Sequence, residues 1–182
     1  MKNVLIILAI LIGNSVAAQQ YVAKGGKAHF FSHGAIEDIQ ATSTMAVCAL
    51  NTETKKVICK IEMHTFKFKD KLMEEHFNEN YIESDKYPKA ELNGVIEEPI
   101  DWTKDGVYDV TIKGFLEIHG TEKACAIKGK LTIKDGAPVS ATAKFDVKLA
   151  DHKIKIPSLV GANLAEVIAV DVDFNYEKYE KK

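Results

Sequence analysis

The sequence contains no arginine. Its basic side chains are all lysine, and 24 of them face 26 Asp plus Glu for a net charge of −2. The guanidinium fork is the favoured clamp for phosphate and carboxylate, so its absence argues against nucleic acid as a partner. Zinc signatures are also missing: there is no Cys-x-x-Cys, and His29 and His33, though spaced i,i+4, lie in a strand-like stretch. Along a strand that spacing separates them by ~13 Å, too far to share a metal. The remaining histidines, His64, His76, His119 and His152, form no ligand motif. No Gly-x-Ser-x-Gly elbow exists. Glu74 and Glu75 are adjacent on a helical stretch, so they diverge and cannot flank one bond. These gaps leave an enzyme, with a site assembled from distant His and Glu residues, as the second class. The single tryptophan, Trp102, argues against the aromatic girdles of an outer-membrane barrel, the third class.

Cysteine is scarce and odd in number: Cys48, Cys59 and Cys125. An odd count allows at most one intramolecular bridge. If residues 51–56 bracket a four-residue hairpin loop, Cys48 falls opposite Cys59 and a cross-strand bridge is open to them. The alternative is three buried thiols acting as small hydrophobes.

The first eighteen residues carry a message of their own. Met1-Lys2-Asn3 precedes an apolar run over residues 4–12, and small residues end at Ala17-Ala18 before Gln19. A basic start, a short apolar core and small residues at the end read as a secretory signal peptide, cleaved after Ala18. The run is shorter than the ~20 apolar residues of a membrane span. The expectation is an exported chain, periplasmic or extracellular, with residues 19–182 as a single domain and no integral segment after cleavage. No cysteine stands near the cleavage site for a lipid anchor. No linker, low-complexity run or repeat divides residues 19–182.

Nearly all of that domain alternates with period two, the signature of strands. Expected strands cover residues 21–33, with Gly25-Gly26 as a bend or bulge, then 36–51 and 57–68. From residue 90 onward the apolar face carries Ala90, Leu92, Gly94 and Ile96. The next strand, opened by Asp105-Gly106, carries Tyr108, Val110, Ile112, Gly114 and Leu116. His119-Gly120 and Asp135-Gly136 read as tight turns around Cys125, Ile127, Gly129, Leu131 and Ile133. Ala141, Ala143, Phe145 and Val147 come next, and the last strand carries Val170, Val172 and Phe174. The faces assigned inward from Ala90 onward bear no formal charge. About eight strands of this kind close into an antiparallel barrel, wide enough to fill with side chains or to hold one small ligand. The glycines and alanines on those faces leave room for a ligand unless larger neighbours, Phe and Tyr side chains or the helix, fill it.

One stretch departs from the pattern. In residues 69–78, Leu72 with His76 and Met73 with Phe77 are i,i+4 pairs, placing four larger side chains on one side of a short helix. Asp70 suits its first turn, Asn78 a left-handed C-terminal cap, and Pro88 the return to extended chain. The helix is expected to gate or line one end of the barrel.

From residue 68 onward the chain resembles the YceI-like family of exported lipid-binding proteins. The residues that carry this are His76-Phe77-Asn78, Tyr87-Pro88-Lys89-Ala90, Gly106-Val107-Tyr108-Asp109-Val110, Ile156-Pro157 and the closing strand. The most specific piece is Leu116-Glu117-Ile118-His119-Gly120-Thr121-Glu122-Lys123, which resembles the family's Leu-x-Ile-His-Gly-x-x-Lys hairpin. The resemblance implies an all-β, extended, lipocalin-like antiparallel barrel with a long apolar tunnel. It implies a polyisoprenoid ligand, such as a quinone or an isoprenoid lipid carrier, and no catalytic residue that can be carried over; the residues themselves lead to the expectation of no metal and no cofactor beyond a bound lipid. The tunnel candidates are Leu72, Met73 and Phe77 on the helix with Leu92, Tyr108, Val110, Ile112 and Leu116. Phe145, Val147, Val170, Val172 and Phe174 complete the set.

Overall fold

The computed structural model describes residues 19–34, 38–155 and 165–180. The expected leader, residues 35–37 and the Ile156-Pro157 block therefore lie outside the described residues. Strands β1 (Gln20–Ser32), β2 (Ile39–Asn51) and β3 (Lys56–Glu62) open the chain. A short β4 (Lys67–Phe68) and helix α1 (Lys71–His76) follow. Then come β5 (Lys89–Ile96), β6 (Gly106–Ile118), β7 (Thr121–Lys134), β8 (Ala137–Lys148), β9 (Val167–Asn175) and β10 (Glu177–Lys178).

The long strands pair antiparallel in the order β1-β9-β8-β7-β6-β5-β3-β2, and β2 returns to β1, closing a barrel of eight strands. The short β10 and β4 hang on the edges of β1 and β2. Turn chemistry sets the hairpins. His119 and Gly120 both have positive φ (52° and 61°), as do Asp135 and Gly136 (52° and 73°). Two such residues in succession match the twist of the flanking strands, so β6–β7 and β7–β8 close with two-residue turns. Gly25, at φ 72°, forms the expected bulge in β1.

The alternation places apolar side chains inward and lysines and carboxylates outward. Inner rows run straight around the wall: Phe145, Val170, Phe30, Ala41 and Phe68 occupy one register, and Cys48, Cys59, Leu92 and Leu116 another. A transmembrane barrel shows the reverse, with its apolar band outside.

Three expectations are corrected. The strand expected over 57–68 breaks after Glu62 into a 3-10 turn, Met63–Thr65, because Met63 turns its amide to the Pro88 carbonyl (2.8 Å). The helix does not stop at Asn78: it runs on as a π-helical turn, Phe77–Tyr81. Asn78 stays right-handed, its amide donating to the Glu74 carbonyl (2.8 Å) and its Oδ1 accepting from Ser84 Oγ (2.7 Å). The left-handed residue that ends this segment is Glu83, at φ 48°. Finally, Gly94 and Gly114 leave no room for a ligand. They face one another across β5 and β6, and a Cβ on Gly94 would lie 2.7 Å from Ile112 Cγ2 and 2.8 Å from the Lys113 carbonyl oxygen. Their missing side chains let two backbones approach instead.

Candidate functional site

Two clusters of buried side chains fill the two ends of the barrel, one beneath α1 and one around Cys48, Leu50, Leu131 and Phe174. Between and among them lies a cavity of ≈ 240 Å³. Its wall reaches from Phe66, Phe68 and Phe77 at the helix end to Leu50, Leu131 and Tyr176 at the other. A cavity of about 150 Å³ holds one benzene ring, so this volume takes roughly ten carbon-sized groups. The lining is almost wholly aliphatic and aromatic. Lys60, Glu91 and Lys130 border it only from outward-turned positions, where Lys60 pairs with Glu91 (3.1 Å) and Lys130 with Asp109 (2.8 Å).

The helix end is closed by four phenylalanines. Phe30 and Phe77 pair with one another and each with Phe66 and Phe68, at ring centroids 5.1–5.9 Å apart, within the range of favourable aromatic pairs. Phe77 joins them because α1 is anchored at both ends. Asp70 caps it, its carboxylate accepting from the Leu72 amide (2.8 Å) and the Met73 amide (3.4 Å). Glu74 clasps the helix to β4. Its Oε1 accepts from Lys67 Nζ (2.8 Å), and its Oε2 accepts from the Phe68 amide (3.2 Å) and Lys71 Nζ (3.3 Å). The Lys67 hydrogen bond leads these in pulling the Glu74 carboxyl down to about 2, against the opposing effect of burial. Glu74 is therefore a tether, whereas Glu75 is exposed and makes no such clasp.

A second fastening holds the segment after the helix. His119 Nε2 lies 2.9 Å from Glu83 Oε2, and its Nδ1 lies 3.3 Å from the His152 carbonyl oxygen. The His119 ring also packs on Tyr87 at 4.2 Å between centroids. Gly120 fits beneath because a Cβ there would meet the Tyr87 ring at 2.6 Å. The histidine of the most specific hairpin thus positions backbone.

At the far end, Cys48 and Cys59 are joined as a disulfide, directly opposite one another on β2 and β3. Both border the cavity. The Tyr176 hydroxyl donates to Cys48 Sγ (3.3 Å), and burial pushes its phenol well above the ordinary value.

The geometry sorts the thirteen tunnel candidates named from the sequence. Met73, Phe77, Leu92, Val110, Ile112 and Leu116 border the cavity, as do Phe145, Val147, Val170, Val172 and Phe174. Leu72 does not: it is 58% exposed, because a six-residue helix lying over the barrel mouth can turn only part of its circumference inward. Tyr108 does not either. Its hydroxyl donates to the Asp101 and Lys104 carbonyls (3.1 and 2.8 Å), which holds the ring against the loop that carries Trp102. Phe30, Phe66, Phe68, Met63 and Tyr176 line the space without having been singled out in the sequence. The shared parity of Phe66 and Phe68 was the available signal for two of them.

Among the described residues, no group of three or more His, Cys, Asp or Glu is placed to hold a metal ion. No helix among them is long and apolar enough to cross a membrane.

Comparison with known proteins places these features in a lineage. The profile described as YceI-like domain matches residues 20–176. Among solved structures, the chain is similar to a polyisoprenoid binding domain from Saccharophagus degradans implicated in plant cell wall breakdown. The TM-score is 0.67 at 12% identity, covering 89% of this chain and 99% of that one. It is similar to Burkholderia cenocepacia BcnA, with TM-score 0.64 at 13% identity, covering 82% and 95%. A Campylobacter jejuni YceI protein matches with TM-score 0.54 at 16% identity, covering 75% and 81%. At these identities the likeness is one of fold. No curated protein matches the chain.

Proposed function

This chain belongs to the YceI-like family, and on that premise we propose that it is an exported, soluble carrier of a long apolar lipid, a polyisoprenoid held within the barrel. One observation carries the reading: a cavity of ≈ 240 Å³ that spans both ends of the barrel interior and is lined almost wholly by apolar side chains. Such a space rewards hydrocarbon and penalises charge. Burying about ten methylene-sized groups releases roughly 8 kcal/mol at ~0.8 kcal/mol each, offset by an association cost of ~4–15 kcal/mol. Length of ligand is therefore the main source of affinity. The Saccharophagus degradans domain, a polyisoprenoid binder, supports the same ligand class, and the leader-like residues 1–18 support export. The lack of arginine disfavours a tightly clamped pyrophosphate head.

The test is a titration with uncharged polyprenols of graded chain length. Affinity should rise with each isoprene unit and then level off when the cavity is full. Equal affinity for short and long chains, or binding of none, would overturn the proposal.

A further inference from the structure

Resting on the carrier reading above, we propose that the lipid enters and leaves through the side of the barrel, at a seam between β7 and β8, and not past the helix. Strand β7 pairs with β6 along its full length, from Thr121 to Ile133. Its pairing with β8 is shorter and runs only from Gly129 opposite Ala143 to Lys134 opposite Ala137. Beyond that rung, residues 122–128 of β7 and 144–148 of β8 share no ladder among the described residues. At ~3.3 Å per residue this leaves a gap roughly 20 Å long.

Both limits of the gap are fixed. At one, His152 Nδ1 lies 2.9 Å from the Thr121 carbonyl oxygen. At the other, Gly129 brings the strands into close contact: a Cβ there would sit 2.6 Å from the Thr142 carbonyl oxygen. Burial along β7 shows where the wall is open. Ile127, Leu131 and Ile133 are buried, yet Cys125 is half-buried and Lys123 exposed, although all share the inward-facing parity. Lys123 stands directly opposite Leu116, which does border the cavity. At that height β6 faces hydrocarbon-like surroundings while its neighbour faces water. Ile127, Phe145 and Val147 form the inner margin of the gap and border the cavity. Both barrel ends, by contrast, are packed: four phenylalanines under a doubly tethered helix at one, Leu50, Leu131 and Tyr176 at the other.

Cys125, the free thiol among the described residues, provides the means of test. The full-length mature chain is labelled at Cys125 with a bulky maleimide at mildly alkaline pH. A parallel preparation, Lys123→Cys in a Cys125→Ser background, places the label on an exposed margin. The exchange of a fluorescent long-chain polyprenol between protein and neutral phosphatidylcholine vesicles is then followed by stopped flow. The seam predicts that either label slows both uptake and release at least tenfold while Kd changes less than threefold. Cys125→Ser treated with the same reagent should exchange at the unlabelled rate. The same label on Leu72→Cys in the Cys125→Ser background, on the exposed side of the helix, should leave exchange unchanged. Unaltered rates after stoichiometric labelling at the seam, or a block by the label on the helix alone, overturn the seam and leave the carrier reading standing. Failure of the unlabelled chain to bind polyprenol overturns both.

Discussion

Replacing Val170 by lysine is the sharpest probe of the inner surface. Val170 sits in β9 between Phe30 of β1 and Phe145 of β8 and borders the cavity. With an empty cavity, the introduced ammonium can keep water. With hydrocarbon in place it cannot, and no inward-turned carboxylate borders the space to pair with it. A lysine titrates near 10.4 in water, so neutralising it at pH 7 costs about 5 kcal/mol at ~1.4 kcal/mol per unit. Val170 is only partly buried, which relieves some of this; the expected loss is ~2–4 kcal/mol, or roughly 30- to 1000-fold in affinity. Ile112→Lys should behave alike, from the facing wall. Lys128→Glu alters an exposed, outward position on β7 and should change affinity by less than ~0.5 kcal/mol. Polyprenol titration of all three, with circular dichroism to confirm folding, decides the matter. Equal weakening by the three substitutions would refute the assignment of inner and outer faces.

Other consequences can be measured directly. Glu74 titrates at about 2 in the folded chain against 4.5 as a free side chain. A depressed carboxylate stabilises above its unfolded value and loses that contribution as pH falls, so Tm should drop between about pH 4.5 and 2, with Glu74→Gln removing that part of the slope. An unchanged acid profile in the variant would contradict the clasp. Unreduced, denatured protein should show one reactive thiol, Cys125, and reduction should expose Cys48 and Cys59 as well. Cys48→Ser/Cys59→Ser should cost ~2–4 kcal/mol in a denaturant titration, since the bridge closes a short loop; three reactive thiols before reduction would disprove the pairing. Gly120→Ala should destabilise by ~1–3 kcal/mol, because alanine resists φ 61° and its Cβ meets the Tyr87 ring. A neutral outcome would show that the hairpin is not seated on Tyr87.

Alternation made the barrel readable, because in a closed sheet one parity is committed to the interior and a single slip would turn every side chain over. It failed where something other than parity decides. The break at Met63–Thr65 depends on a hydrogen bond to Pro88, far along the chain. Leu72 belongs to a helix whose tilt is set by Glu74 and Phe77, which no period encodes. Tyr108 shares the inward parity of its strand, yet its hydroxyl must reach carbonyl groups, and those lie in the loop before it. Gly94 and Gly114 looked like empty space, but an absent side chain is equally an invitation to a neighbouring backbone. Eleven of the thirteen tunnel candidates border the cavity.

The most direct measurement is organic extraction of the protein purified from its native host, followed by mass spectrometry of the extract. An apolar bore that carries lipid predicts one long-chain isoprenoid in near-stoichiometric amount, absent from an Ile112→Lys preparation made in the same way. An extract no richer in such lipid than that of the variant would contradict it.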